Sequence, residues 1–149
     1  MKDNGRDGTE YELAHDCIYG RVALQAVDVR GFAMPDKNYT GSCQCGAIAF
    51  EVTADVDRSI TCNCSRCRRL GAVLTFVPAA AFRLTADGPT TEYRFNKHVI
   101  SHRFCPTCGI QPYATGEQDG QTIVAVNVNC LDGVDARALD SQVVDGASA

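Results

Sequence analysis

The sequence predicts a mainly β domain, and three observations carry that expectation. Five short runs rich in β-branched and aromatic residues are bounded by turn-forming residues. No segment sustains a helical period. Seven of the nine cysteines fall into tight clusters, the pattern by which metal ions staple small folds whose cores are modest.

In chain order, residues 1–38 are charged, show little alternation and hold no cysteine cluster; they are expected to be an extension, disordered or not native. Apolar positions between Ile18 and Val29 amount to one short strand or helix. The abrupt change into Tyr39-Thr40-Gly41-Ser42-Cys43 suggests Met34 as the natural start, an expectation that native peptides reading through Asp28 to Ala33 would refute.

The domain proper is expected over residues 39–133. Its strands are read at Ala47–Val52, Ala72–Val77, Thr91–Phe95, His98–Phe104 and Thr122–Val128, with Asn96-Lys97 as a tight hairpin turn. Gly46 and Gly109 each follow a cysteine pair directly, where the backbone must turn sharply to aim N–H groups at sulfur. Leu131-Asp132-Gly133 reads as a turn, and residues 134–149 as a short tail with a frayed end from Ser141.

The chain's 149 residues suit one domain. A net charge of −4 argues against nucleic acid as a partner, the local exception being Arg66, Arg68 and Arg69. The charged start lacks an apolar leader and no run of 18 apolar residues exists, so the expected setting is the reducing cytoplasm, with no membrane partner. There, clustered thiols are metal ligands before they are disulfides.

The clusters are Cys43-Gln44-Cys45, Cys62-Asn63-Cys64-Ser65-Arg66-Cys67 and Cys105-Pro106-Thr107-Cys108. Short knuckles of this kind deliver two sulfurs from one turn to a tetrahedral Zn²⁺, although iron is also held by thiolates at similar spacing. Seven ligands divide into four and three, a closed site and one with a position left for water or substrate. Spacing alone does not assign them. A two-ligand knuckle pairs naturally with another, which would group Cys43, Cys45, Cys105 and Cys108 and leave Cys62, Cys64 and Cys67 as the second set.

These residues carry a family resemblance. Gly41-Ser42-Cys43-Gln44-Cys45-Gly46, Cys62 through Arg69, Gly71-Ala72, Tyr93, Phe104 through Gly109 and Asn127 through Gly133 together resemble the glutathione-dependent formaldehyde-activating enzymes, a family that includes centromere protein V. The resemblance implies an Mss4-like β-sheet domain (β-tent) with two Zn²⁺ per chain. Cys43, Cys45, Cys105 and Cys108 would hold a structural zinc, and Cys62, Cys64 and Cys67 a catalytic one. It also implies a carbon–sulfur lyase joining a small-molecule thiol to an aldehyde, as glutathione and formaldehyde join in S-hydroxymethylglutathione. Two departures bear on substrate: Asn63 stands where many members have His, and Ile110-Gln111-Pro112-Tyr113 replaces a more apolar continuation.

A zinc with three thiolates carries a formal −1 charge and suits thiol activation better than aldehyde polarisation. Arg68 and Arg69 could offset that charge or grip a substrate carboxylate. His98 and His102 are expected as an exposed pair on one strand face, His102 being the better site candidate. Tyr93 and Phe95 alternate with Arg94 as core residues would, Cys130 packs as a small apolar residue, and Cys17 is a spare thiol. The competing class is a non-catalytic zinc-stapled binding module, which a fourth protein ligand on the second site, from Cys130 or His102, would favour.

Overall fold

The structure, a computed structural model, describes residues 37–95 and 97–148. The expectations for the extension, Met34, Cys17 and Asn96 lie outside the described residues, apart from Lys37 and Asn38.

Among the described residues, ten strands form two sheets. The smaller has the order β1 (Asn38–Ser42), β2 (Ile48–Thr53), β5 (Phe82–Asp87), all antiparallel. The larger has seven strands, in the order β10 (Gln142–Val144), β3 (Ile60–Cys62), β4 (Val73–Pro78), β9 (Gln121–Asn127), β8 (Tyr113–Gln118), β7 (Ser101–Phe104), β6 (Thr91–Tyr93). The chain is thus mainly β, as the β-branched runs predict. Among the described residues the α-helix is the four-residue α1 (Cys67–Leu70), which follows the second cysteine cluster and ends at Gly71, whose φ of 63° an L side chain adopts only with strain.

Strand periodicity decides where the core lies. On β4, Val73 and Val77 face the smaller sheet with Val124 and Val126 of β9, packing against Ile48, Phe50 and Val52. Leu74, Phe76, Ile123 and Ala125 point the other way, into a second apolar cluster that includes Cys62, Cys64, Cys67 and Val144. Both faces of the central strands are therefore covered, which is why β4 reads as a continuous apolar run and not as an alternation. Phe82 joins the sheets through Phe50 (centroids 5.1 Å apart) and Tyr113 (5.0 Å).

Several elements differ from expectation. Five strands were not anticipated: β1, β3, β5, β8 and β10. The tail is not frayed at Ser141, because β10 runs parallel to β3, pairing Val144 with Cys62, and Gln142 donates its N–H to the Ser59 carbonyl. The run from His98 to Phe104 is strand only from Ser101. β6 and β7 pair Tyr93 with His102, and beyond the end of that ladder the His98 N–H donates to the Phe95 carbonyl (3.1 Å), closing a turn at the expected place but set off from the strands. The Leu131-Asp132-Gly133 turn is present, with Gly133 at φ 72°.

Candidate metal centres and an adjoining cleft

The first cysteine set joins the two sheets. Cys43 and Cys45 lie between β1 and β2 of the smaller sheet, while Cys105 and Cys108 lie between β7 and β8 of the larger. All four sulfurs lie within 4.8 Å of one another. Cys45 Sγ is 3.6 Å from both Cys43 Sγ and Cys105 Sγ. Four sulfurs at ~2.3 Å from a tetrahedral zinc would be ~3.8 Å apart, so the set fits that ion in donor type and spacing. Gly46 (φ 77°) and Gly109 (φ 75°) supply the left-handed turns expected after each pair. They let N–H groups converge on sulfur: Ile48 N–H donates to Cys43 Sγ at 3.3 Å, and N–H groups led by that of Ile110 push the Cys108 thiol down to about 6.

The second set lies on the opposite face of the larger sheet. Cys62 ends β3, Cys64 sits in the turn and Cys67 opens α1; all three are buried and their sulfurs are within 4.8 Å of one another. Cys62 is disulfide-bonded in this structure, so service as a third thiolate ligand requires its reduced form. The knuckle follows the same N–H logic, Cys64 N–H donating to Cys62 Sγ (3.4 Å) and Cys67 N–H to Cys64 Sγ (3.3 Å). The Cys67 thiol, and after it the N–H groups of Cys67 and Arg66, push Cys64 down to about 6; the Cys64 sulfur and burial push Cys67 up. A neighbourhood that holds a thiolate near neutral pH suits a bound cation.

Asn63, between two of these cysteines, ties the knuckle to the C-terminal strand. Its Nδ2 donates to Asp145 Oδ1 (2.7 Å), its Oδ1 accepts from Ala147 N–H (2.8 Å) and its own N–H donates to the Val144 carbonyl (3.3 Å).

Beside the knuckle opens a cleft of about 670 Å³, bounded by Ser65, Arg66, Arg69 and Leu70 on one side and by β6 and Phe95 on the other. Arg69 lines it, as does Arg66; Arg68 is exposed and lies outside the lining. Tyr93 and Phe95 are not core residues. Tyr93 is 45% exposed, its ring stacks on Phe95 at 5.8 Å, and the Arg66 guanidinium lies over it at 4.8 Å. β6 is the sheet's edge strand, so its side chains wall a cleft instead of entering the core.

The histidines are not an exposed pair. His98 lies in the connection at φ 57°, whereas His102 is 1% exposed, stacks on Phe95 at 5.4 Å and is pushed down to about 4 by burial and then by Arg66. Its Nδ1 is 3.4 Å from the Gln111 amide nitrogen, and the Gln111 amide oxygen accepts from Arg66 Nη2. The sequence places Arg66 in the basic patch of the knuckle and Gln111 in a departure bearing on substrate, without predicting that the two pair. The signals in the sequence were an arginine inside the cysteine knuckle and a polar residue in an apolar continuation.

Cys130 packs partly buried against the core near the first set; burial, and then the Cys43 and Cys108 sulfurs, push it up to about 12. The second set comprises Cys62, Cys64 and Cys67 among the described residues, without Cys130 or His102.

Two β-sheets held together by a four-cysteine set, with a three-cysteine set on the outer face of the larger, define a β domain whose clusters could bind zinc. The chain belongs to the glutathione-dependent formaldehyde-activating enzyme family, whose model matches residues 38–143. It is similar to a protein of Rhodobacter sphaeroides solved by crystallography, at 32% identity and a TM-score of 0.63, over 70% of this chain and 97% of that one. The family is named as an enzyme family, and the Mss4-like fold expected from the resemblance is consistent with it. Among the described residues, no helix is long and apolar enough to cross a membrane.

Proposed function

We propose that this protein is a zinc-dependent carbon–sulfur lyase of the family's type, forming or cleaving an adduct between a small-molecule thiol and an aldehyde. The observation that carries this reading is a three-sulfur cluster, separate from a complete four-sulfur one and directly beside an open cleft. Cys43, Cys45, Cys105 and Cys108 would hold a structural zinc and Cys62, Cys64 and Cys67 a catalytic zinc. That second ion would supply thiolate stabilisation, lowering the pKa of a substrate thiol at its remaining position.

The chain's own residues then bind and orient. In the forward direction the thiol sulfur forms a bond to the aldehyde carbon, the carbonyl π pair becomes an alkoxide, and the proton lost by sulfur is regained at that oxygen; cleavage reverses these steps. Arg66 and Arg69 bear on the charge of the thiol's remote end, and the aromatic wall of Tyr93 and Phe95 confines its body. His102 stays neutral through the physiological range and so leaves the positive charge of the cleft to the arginines. The open cleft lets water exchange the proton.

The test is zinc per chain and thiol-dependent loss of formaldehyde, for wild type and a Cys62→Ser/Cys64→Ser/Cys67→Ser variant purified under reducing conditions without chelator. The expected result is about two zincs falling to about one, with the fold kept and turnover abolished. A two-zinc protein that turns over no thiol–aldehyde pair, with a triple variant that simply unfolds, would instead establish the zinc-stapled binding module.

A further inference from the structure

The cleft's charge and surface are a poor match to a zwitterionic peptide and a good match to an apolar acid. Its two guanidiniums lack a carboxylate partner among the described residues. Arg66 donates to the neutral amide oxygen of Gln111, and Arg69 to the Ser65 carbonyl. Arg66 Nε is buried without a hydrogen-bond partner among the described residues. Glu92 is the single carboxylate in the lining, and it is already held by Arg94 and, at 2.6 Å, by Arg103. The lining therefore offers two guanidiniums that no carboxylate engages and no uncommitted carboxylate, the nearest negative groups being the knuckle sulfurs behind Arg66.

Shape and preorganisation add to this. The buried Gln111 amide fixes Arg66 from behind while Tyr93 supports the guanidinium from below, so little ordering remains when an anion arrives. Leu70, Tyr93, Phe95 and Phe104 supply an apolar wall. The volume of about 670 Å³ falls within the roughly 300–1,000 Å³ of small-molecule sites.

We infer that the cleft selects a substrate with an aromatic or branched apolar body and a carboxylate directed at Arg66 and Arg69, in preference to glutathione. Glutathione's two carboxylates could also meet the guanidiniums, but its body is polar throughout against the wall of Leu70, Tyr93, Phe95 and Phe104, and its ammonium finds no uncommitted carboxylate in the lining. The inference rests on the lyase reading for its chemistry but not for its binding, and the experiment separates the two.

Calorimetric titration of the reduced, zinc-loaded full chain would use four probes: 4-mercaptobenzoate, its neutral amide 4-mercaptobenzamide, the thiol-free 4-methylbenzoate, and glutathione. The expected order places 4-mercaptobenzoate at least about tenfold tighter than either the amide or glutathione, with 4-methylbenzoate also bound. Arg66→Gln should weaken both carboxylates by at least about tenfold while leaving zinc content unchanged. Tyr93→Ala, at an exposed position, should weaken all three aromatic probes and serves as the second variant if Arg66→Gln folds poorly. Glutathione binding as tightly as 4-mercaptobenzoate, or the amide binding as tightly as the acid, would overturn the inference. Arginine-dependent binding of 4-methylbenzoate without turnover of any thiol–aldehyde pair would support the cleft assignment and remove the lyase reading. Turnover of glutathione by a cleft that binds neither carboxylate would do the reverse.

Discussion

Shortening Val144 tests whether the C-terminal strand belongs to the working fold. Val144 is 3% exposed and packs with Ile60, Cys62, Cys64, Cys67 and Leu74, whereas its neighbour Val143 is 76% exposed on the opposite face of β10. Val144→Ala removes two methyl groups from that cluster, ~1.6 kcal/mol of transfer free energy at ~0.8 per carbon. The cavity left behind raises the cost to roughly 2–3 kcal/mol. For a domain of this size ~4 °C is lost per kcal/mol, so the melting temperature should fall by about 8–12 °C. Val143→Ala, on the exposed face, should change stability by no more than ~0.5 kcal/mol. Because Val144 pairs with Cys62, the loss should also reach the second cysteine set. A chelator competition on the zinc-loaded variant should release one zinc early and leave the other as firmly held as in wild type. Thermal unfolding followed by circular dichroism, with chelator titration on the same samples, reads both effects. Equal, near-zero shifts for the two alanine variants would refute the placement of β10, and simultaneous release of both zincs would refute its selective support of the second set.

Two further outcomes follow from the geometry. His102 is pushed down to about 4 by burial and Arg66, while its unfolded counterpart titrates near 6.5, so between these values the unfolded chain binds more protons. The histidine's contribution is complete above about pH 6.5 and is lost as pH falls toward 4; His102→Phe, which keeps the stack on Phe95, should flatten that part of the stability profile, and denaturant melts from pH 4 to 8 showing parallel profiles would count against a buried neutral imidazole. Gly109→Ala should cost ~1–2 kcal/mol through its φ of 75° alone, since nothing lies within 4 Å of the added carbon, whereas Gly41→Ala should cost more because that carbon would meet the Cys130 carbonyl oxygen and Phe50 at 2.6 Å; equal melting temperatures for the two would contradict both local geometries.

The sequence by itself determined the β class, the cysteine knuckles and the glycines that turn them, because these depend on local rules: two-residue periodicity, sulfur spacing and backbone freedom at positive φ. Ile48–Thr53, Val73–Pro78 and Gln121–Asn127 were legible because their apolar content is dense and their interiors lack proline and glycine. Tyr113–Gln118 was not, since it contains Gly116 and polar residues and becomes a strand through pairing with β7 and β9 on either side. The same holds for Gln142–Val144, three residues with no weight of their own until Ile60–Cys62 offers an open edge. Tertiary structure alone decided that the two cysteine sets lie on opposite faces of the larger sheet and that Tyr93 walls a cleft. It also decided that Gln111, 45 residues from Arg66, fixes the guanidinium beside the second knuckle. Spacing along a chain specifies which sulfurs can share a turn, but sheet order specifies what faces them, and that order arises from pairings between strands far apart in sequence.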